Sequence, residues 1–119
     1  DSEAVKGADY IINLAGAGVA DHRWTESYKK ELNDSRIQST RLLVNEANKY
    51  KSSLKKFISA SAIGYYAEKT GVLDESSEAG NDFLGNLCKA WENETQSLEM
   101  DSLAIIRIGI VLSSKGGFL

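Results

Sequence analysis

The sequence is poor in the residues that build several classes of functional site. Its 119 residues include one cysteine, Cys88, one histidine, His22, and no proline. A single cysteine excludes an intramolecular disulfide and fits a reducing, cytoplasmic environment. A single histidine, with no Cys/His spacing around it, gives no support to a metal site. Internal repeats and low-complexity tracts are also lacking.

An excess of positive charge and long apolar runs are lacking as well. The formal net charge is -3, which argues against nucleic acid or an acidic membrane surface as a partner. No apolar run approaches the roughly 20 residues that span a bilayer. The acidic start, Asp1-Ser2-Glu3, is unlike a signal peptide. The composition leaves open whether the protein forms a homo-oligomer.

Apolar runs alternate with amphipathic segments along the sequence. The residues before the first apolar run are expected to be the end of a helix. Thr25 is expected to cap a short helix, Asp34 or Ser35 a second one, and Asp82 a third. The connections are long enough for parallel pairing of the strands they join. The pattern therefore predicts the α/β class, a parallel sheet with flanking helices. The three predicted strands are 9–15, 56–61 and 103–112.

Three strands make an incomplete sheet for this class, in which five or six strands are usual. The third run is almost continuously hydrophobic, which is typical of a strand covered on both faces. We therefore expect the polypeptide to extend beyond both ends of this chain. Residues 1–119 would then form the central part of a larger domain.

Small residues follow the first predicted strand, in the run Asn13-Leu14-Ala15-Gly16-Ala17-Gly18. Such residues allow a flat ligand to approach the backbone, although a simple turn gives the same pattern and the spacing favours neither interpretation. The dinucleotide fingerprint G-x-G-x-x-G is absent, because Asp21 occupies its third glycine position. A phosphate-binding turn would therefore lie upstream of Asp1.

Two serines end the second predicted strand, and two tyrosines follow it. Ser59 and Ser61 share one face of the strand, at the carboxyl end where parallel sheets bind ligands. Each serine either bonds to backbone, which is the commoner role, or holds a substrate oxygen. Tyr65 and Tyr66 either pack over the sheet edge, which the pattern favours, or supply an acid–base phenol, which needs a nearby cation. A nucleophile elbow is excluded, since Gly-x-Ser-x-Gly is absent.

Two arginines are expected to need specific partners. Arg36 lies at the start of a predicted helix, where a cation interacts unfavourably with the helix dipole. Its partner is either the nearby Glu31 or an anionic ligand group, and the two remain equally open. Arg107 interrupts an apolar strand, and a buried arginine requires a partner.

Several of these segments, taken in order, follow the pattern of a known family. They are Asn13–Gly16, Arg23-Trp24, Ser35-Arg36, Ser61–Tyr66, Asp82–Leu84, Trp91-Glu92, Arg107–Leu112 and Gly116-Gly117. The chain resembles the atypical epimerase-like branch of the extended short-chain dehydrogenase/reductase superfamily. Members are described as NAD-dependent epimerases/dehydratases or nucleoside-diphosphate-sugar epimerases. The resemblance implies a Rossmann-like sheet, of which this chain is the middle section, and NAD or NADP as the cofactor.

The resemblance also implies roles for individual residues. Ser61 matches the superfamily's catalytic serine, and Tyr66 is the candidate for acid–base work. The residues expected along the cofactor are Leu14, Ala15, Gly16, Glu31, Arg36, Ser59 and Leu84.

The superfamily's usual proton donor is missing from this sequence. The family pattern is Tyr-x-x-x-Lys on the helix after the second strand. Lys89 fits the lysine position, but Gly85 stands four residues before it. Two functions therefore remain open. The protein is either an NAD(P)-dependent epimerase or oxidoreductase acting on a sugar nucleotide or small carbonyl substrate, or a dinucleotide-binding sensor or interaction module with little catalytic activity.

Overall fold

A computed structural model describes residues 2–67 and 70–117 and contains a three-stranded parallel sheet. The strands are β1 (Tyr10–Asn13), β2 (Lys56–Ala62) and β3 (Leu103–Ile108), in the order β1-β2-β3. The register pairs Asn13 with Ser59 and Ser61 with Arg107. The predicted α/β class and the parallel pairing are confirmed.

Three α-helices accompany the sheet: α1 (Ser2–Lys6), α2 (Glu26–Lys49) and α3 (Phe83–Asn93). Thr25 caps α2 by accepting from the amide of Tyr28 at 3.2 Å, and Asp82 caps α3 by accepting from the amide of Gly85 at 2.8 Å. Both predicted caps are therefore present. Each uses a short polar side chain to satisfy an amide that has no partner within its helix.

The predicted break within α2 is wrong, because the helix runs through Asp34 and Ser35 without interruption. Asp34 pairs with Lys30 one turn earlier, and the Ser35 hydroxyl donates to the Leu32 carbonyl at 3.2 Å. Both side chains thus find partners from inside a helix. Arg36 consequently lies mid-helix, so the predicted conflict with the helix dipole does not arise.

The core lies between the sheet and the helices on one of its faces. Phe57 and Ile11 point to that face and pack with Val44 and Ala47 of α2. A second cluster joins α2 to α3 and to the loop after β1, through Tyr28, Leu32 and Leu87. These clusters hold the start of α3 close to the carboxyl edge of the sheet.

Much of the other face of the sheet is exposed in the described part of the chain. Tyr10 and Ile12 of β1 are 60% and 61% exposed, and Ile106 of β3 is 50% exposed. The expectation that the third strand is covered on both faces is therefore not met within the described part of the chain. The reason is that α2 and α3 both pack on the same side.

The remaining elements are short. Residues 63–66 and 94–97 form 3₁₀ turns after β2 and α3. A hairpin of β4 (Leu112–Ser113) and β5 (Gly116–Gly117) replaces the predicted end of the third strand. The loop predicted over 67–81 contains no helix or strand in its described residues, 67 and 70–81. No helix within residues 2–67 and 70–117 is long and apolar enough to cross a membrane.

Candidate functional site

The candidate site lies at the carboxyl edge of the sheet, where β2 ends beside β3. Ser61 and Arg107 are neighbours in the register and point to the helix-covered face. The residues of α3 that approach this point are one turn apart, namely Leu84, Cys88 and Glu92. This spacing places three side chains of one helix face over the strand ends.

A partly buried ion pair between Glu92 and Arg107 forms the centre of the site. Arg107 Nε and Nη2 donate to Glu92 Oε1 and Oε2 at 2.8 and 3.0 Å. The Glu92 and Arg107 side chains are only 12% and 17% exposed. The hydrogen bond to Glu92 raises the pKa of Arg107, so the guanidinium stays charged. Arg107 was expected to need a partner, and that partner is a carboxylate of the adjacent helix.

The two tyrosines after β2 contact the same guanidinium. Arg107 Nη1 donates to Tyr66 Oη at 2.8 Å. The Arg107 Cζ lies 3.5 Å from the centre of the Tyr65 ring, and the two tyrosine rings meet edge to face. Both tyrosines are half-buried. Tyr65 therefore packs over the cation, whereas the Tyr66 hydroxyl is held by it.

The Ser61 hydroxyl is turned toward α3 and away from solvent. It donates to Glu92 Oε1 at 2.6 Å, and the residue is 2% exposed. Cys88 lies against the same hydroxyl and against the backbone of Ala62. Lys89, the residue that fits the family's lysine position in sequence, is exposed on the helix. The helix face that approaches Ser61 thus carries Leu84 and Cys88 and not Lys89.

Burial raises the pKa of the Cys88 thiol, which is only 3% exposed. Since the thiolate is the reactive form, we expect iodoacetamide to alkylate Cys88 at least about tenfold more slowly in the folded protein than in denaturant. Mass spectrometry of the Cys88 peptide with time measures this. Equal rates in the two conditions would contradict the buried position.

The turn after β1 is exposed at the same edge of the sheet. Leu14 is 67% exposed, and Ala15 and Gly16 are also open to solvent. The Asn13 side chain accepts from the Ala15 amide at 3.2 Å and fixes the start of the turn. A cofactor is expected to run along these residues, and their exposure and small size fit a flat ligand lying on the backbone.

Arg36 supports this turn from the core side. It donates to the carbonyls of Leu32 at 3.0 Å and Ala17 at 2.9 Å, and burial lowers its pKa. A Cβ added at Gly16 would lie 2.8 Å from the Arg36 Cζ, so a larger residue there would displace the guanidinium. Glu31 is exposed, and no ion pair joins it to Arg36 among the described residues. The hydrogen-bond partners of Arg36 are therefore backbone carbonyls and not Glu31, one of the two partners that the sequence left open.

Buried polar groups lie beneath the site. The Thr40 hydroxyl accepts from Asn13 Nδ2 at 2.8 Å and from Trp91 Nε1 at 3.0 Å. Ser59 is next to Asn13 in the register and is 1% exposed, and its hydroxyl has no partner in the described part of the chain. Ser59 thus lies under the strand end and not on an open surface. An unpaired buried hydroxyl of this kind is costly.

Two hollows border the candidate residues. One of about 430 Å³ opens beside the ion pair and is lined by Glu75, Glu92, Ile105, Ile106 and Arg107. A larger one of about 580 Å³ is a shallow surface over the first half of α2, and Glu31 is the only candidate residue that lines it. We place the site at the smaller hollow, because Glu92 and Arg107 line it and these two residues bond to the Ser61 and Tyr66 hydroxyls.

Glu92 is the residue that the sequence reasoning did not assign to the site. A signal for it was present: Glu92 continues the helix face of Leu84 and Cys88, which is otherwise apolar. A carboxylate on an apolar face and an arginine in an apolar strand are expected to pair when their elements are adjacent. The role of Glu92 thus follows from the packing of α3 on β3.

The comparisons with known proteins agree on the family. The family model for the NAD-dependent epimerase/dehydratase family matches residues 2–87. An epimerase family protein of Mycobacterium leprae is 38% identical over 122 residues, which cover 100% of this chain and 39% of that protein. The chain thus spans about two fifths of the length of this curated relative.

Two crystal structures are similar in fold and sequence. Human epimerase family protein SDR39U1 with NADPH is 31% identical, with a TM-score of 0.84 over 98% of this chain and 43% of that one. A nucleoside-diphosphate sugar epimerase of Corynebacterium glutamicum is 35% identical, with a TM-score of 0.80 over 100% of this chain and 25% of that one. With a family model that matches well over half of its residues and a parallel sheet shared with these structures, the chain belongs to the NAD-dependent epimerase/dehydratase family.

Proposed function

We propose that the protein containing this chain is an NAD(P)-dependent epimerase or oxidoreductase acting on a hydroxyl or carbonyl group. One observation carries the proposal: the phenol of Tyr66 is held 2.8 Å from the Arg107 guanidinium at the carboxyl edge of the sheet. A phenol beside a fixed cation is the arrangement that acid–base work at a substrate oxygen needs. Here the cation is Arg107 of β3, whereas the family pattern places a lysine on the helix that follows the second strand.

The cofactor is proposed to lie along the exposed turn after β1. Leu14, Ala15 and Gly16 would face it directly, and Leu84 would border it from the start of α3. Arg36 and Ser59 would support the strand ends from below, and Glu31 would lie farther out on α2. Membership of the family and the NADPH in the crystal structure of the human relative support NAD or NADP as the ligand.

The roles of the protein groups follow from their chemistry. NAD(P), when bound, supplies or accepts the hydride. Tyr66 would hold the substrate oxygen and give it a proton during reduction, or take that proton during oxidation. Arg107 would stabilise the negative charge that develops on the Tyr66 oxygen and on the substrate oxygen. Glu92 would keep Arg107 in place. Tyr65 would shield the guanidinium from water, which strengthens its interaction with Tyr66.

The proposed substrate is a sugar nucleotide or a small carbonyl compound. The name of the Corynebacterium glutamicum relative, a nucleoside-diphosphate sugar epimerase, supports the first class. The test uses the full-length protein in two arms: the fluorescence of NADPH and NADH is followed alone and with ketones and aldehydes, and UDP-sugars are incubated with NAD⁺ or NADP⁺ and their products identified by NMR. Oxidation of the reduced cofactor by a carbonyl compound, or conversion of a UDP-sugar, supports the proposal. Cofactor binding with neither reaction across the panel would contradict it for these two classes.

A second function is favoured by the helix face opposite Ser61. Leu84 and Cys88 lie on that face, Gly85 stands where the family pattern has its tyrosine, and the Ser61 hydroxyl is buried. A dinucleotide-binding sensor or interaction module with little catalysis would have such a site. The same experiment separates the two functions, since this one predicts a fluorescence change on binding and no turnover.

We further propose that residues 1–119 are the central part of a longer Rossmann-like domain. The exposed apolar face of the sheet and the 39% coverage of the Mycobacterium leprae relative support this. The isolated chain, which lacks a glycine-rich phosphate turn, should then give no measurable heat with NADPH in calorimetry, whereas the full-length protein binds it. Tight binding by the isolated chain would contradict the proposal.

A further inference from the structure

Two candidate hydroxyls lie at opposite ends of a single ion pair. Ser61 contacts the Glu92 carboxylate, and Tyr66 contacts the Arg107 guanidinium. An ionised carboxylate can only accept hydrogen bonds, and a guanidinium can only donate them. The identity of each partner therefore decides the direction of each hydrogen bond.

The Ser61 proton is committed to Glu92. Oγ lies 2.6 Å from Glu92 Oε1, and a hydroxyl has only one proton to donate. The residue is 2% exposed, and Cys88 lies on its other side. With this geometry, Ser61 cannot donate a hydrogen bond to a substrate carbonyl.

The described residues 2–67 and 70–117 leave the Tyr66 proton available to a ligand. Oη accepts from Arg107 Nη1 at 2.8 Å, and the guanidinium offers no acceptor in return. Within residues 2–67 and 70–117, no acceptor takes the phenolic proton. The half-buried side chain leaves this proton at the edge of the site.

We propose that the Glu92–Arg107 ion pair assigns opposite roles to the two hydroxyls. Tyr66 is the group that donates to an acceptor oxygen of the substrate, and Ser61 is a positioning residue that holds the Glu92 carboxylate. Glu92 is a positioning residue as well, since it holds Arg107. The proposal rests on the proposed function only for the nature of the ligand, a carbonyl or alkoxide oxygen, and not for the directions of the hydrogen bonds.

Neutron diffraction from deuterium-exchanged crystals of the full-length protein tests the directions without any activity. We expect a deuteron on Ser61 Oγ that points to Glu92 Oε1, and a deuteron on Tyr66 Oη that points away from Arg107. A deuteron on the Glu92 carboxyl, or a Ser61 deuteron directed elsewhere, would overturn the proposal. Because this readout needs no substrate, it can fail or succeed independently of the proposed function.

Kinetics on a substrate found in the panel give the second test. Tyr66→Phe should lower kcat about 100-fold with little change in KM, within the usual range for general acid–base groups. Ser61→Ala should lower kcat less than about tenfold, and Ser61→Thr should restore it. A loss for Ser61→Ala as large as that for Tyr66→Phe would overturn the assignment.

Glu92→Gln provides a matched comparison with Glu94→Gln, which breaks an exposed ion pair to Arg41 near the end of the same helix. The amide introduced by Glu92→Gln carries both a donor and an acceptor, so it would no longer fix the direction of the Ser61 hydrogen bond. We expect Glu92→Gln to lower kcat about tenfold and Glu94→Gln to leave it unchanged. Equal kcat values in the two variants would count against the positioning role of Glu92.

Discussion

Replacing Glu92 by leucine in the full-length protein is expected to lower the free energy of unfolding by about 3 kcal/mol. The change leaves the Arg107 guanidinium, which is 17% exposed, without its carboxylate and also removes the acceptor of the Ser61 hydroxyl. An uncompensated charge in a largely buried position is among the costliest defects in a folded protein. Urea denaturation followed by circular dichroism measures the loss.

Glu94→Leu is the control for this variant. Glu94 also accepts two hydrogen bonds from an arginine, but that arginine, Arg41, is 58% exposed. Loss of the Glu94 carboxylate should therefore lower the free energy of unfolding by less than about 1 kcal/mol. The double variant Glu92→Leu/Arg107→Met should recover a large part of the stability, because it removes both charges. If Glu92→Leu costs no more than Glu94→Leu, the ion pair does not organise the site.

Gly85→Tyr, which would recreate the sequence Tyr-x-x-x-Lys with Lys89, is expected to destabilise the protein by about 3 kcal/mol and to add no activity. A Cβ at Gly85 would lie 2.5 Å from the carbonyl oxygen of Gly80 and 2.7 Å from its carbon. Both are backbone atoms, which cannot move aside as a flexible side chain can. The same Cβ would crowd the Asp82 carboxylate that caps α3.

Leu84→Tyr is the matched control, since Leu84 is half-buried on the helix face that approaches β2 and has an open side. It should cost less stability than Gly85→Tyr. Thermal denaturation of the two variants compares them directly. A Gly85→Tyr protein as stable as the wild type would show that the contact between Gly80 and Gly85 is not tight.

Local signals in the sequence predicted the elements that position the site. The apolar runs predicted the three parallel strands, and Thr25 and Asp82 predicted the starts of two helices. The continuity of α2 was not predictable from cap preference alone. Asp34 and Ser35 are good caps, but here they bond within the helix, to Lys30 and Leu32.

The site was predictable in part. The shared face of Ser59 and Ser61 and the need of Arg107 for a partner follow from strand alternation and from the cost of burying a charge. The apolar face of α3 indicates that Glu92 points toward the sheet, but which strand residue it meets depends on how α3 is positioned along β3, and no local pattern encodes that position. The same packing of α3 turns Lys89 outward and brings Cys88 to Ser61.

The central claim is that the Tyr66 phenol, held by Arg107, moves the proton at the substrate oxygen. Single-turnover oxidation of NADPH by a carbonyl substrate from the panel, bound to the full-length protein, tests it most directly, with Tyr66→Phe compared to Tyr65→Phe. Tyr65 packs over the same guanidinium through its ring, which phenylalanine retains. We expect Tyr66→Phe to slow hydride transfer about 100-fold while NADPH affinity stays the same, and Tyr65→Phe to react at nearly the wild-type rate. Hydride transfer in Tyr66→Phe at the rate of the wild type would contradict the claim.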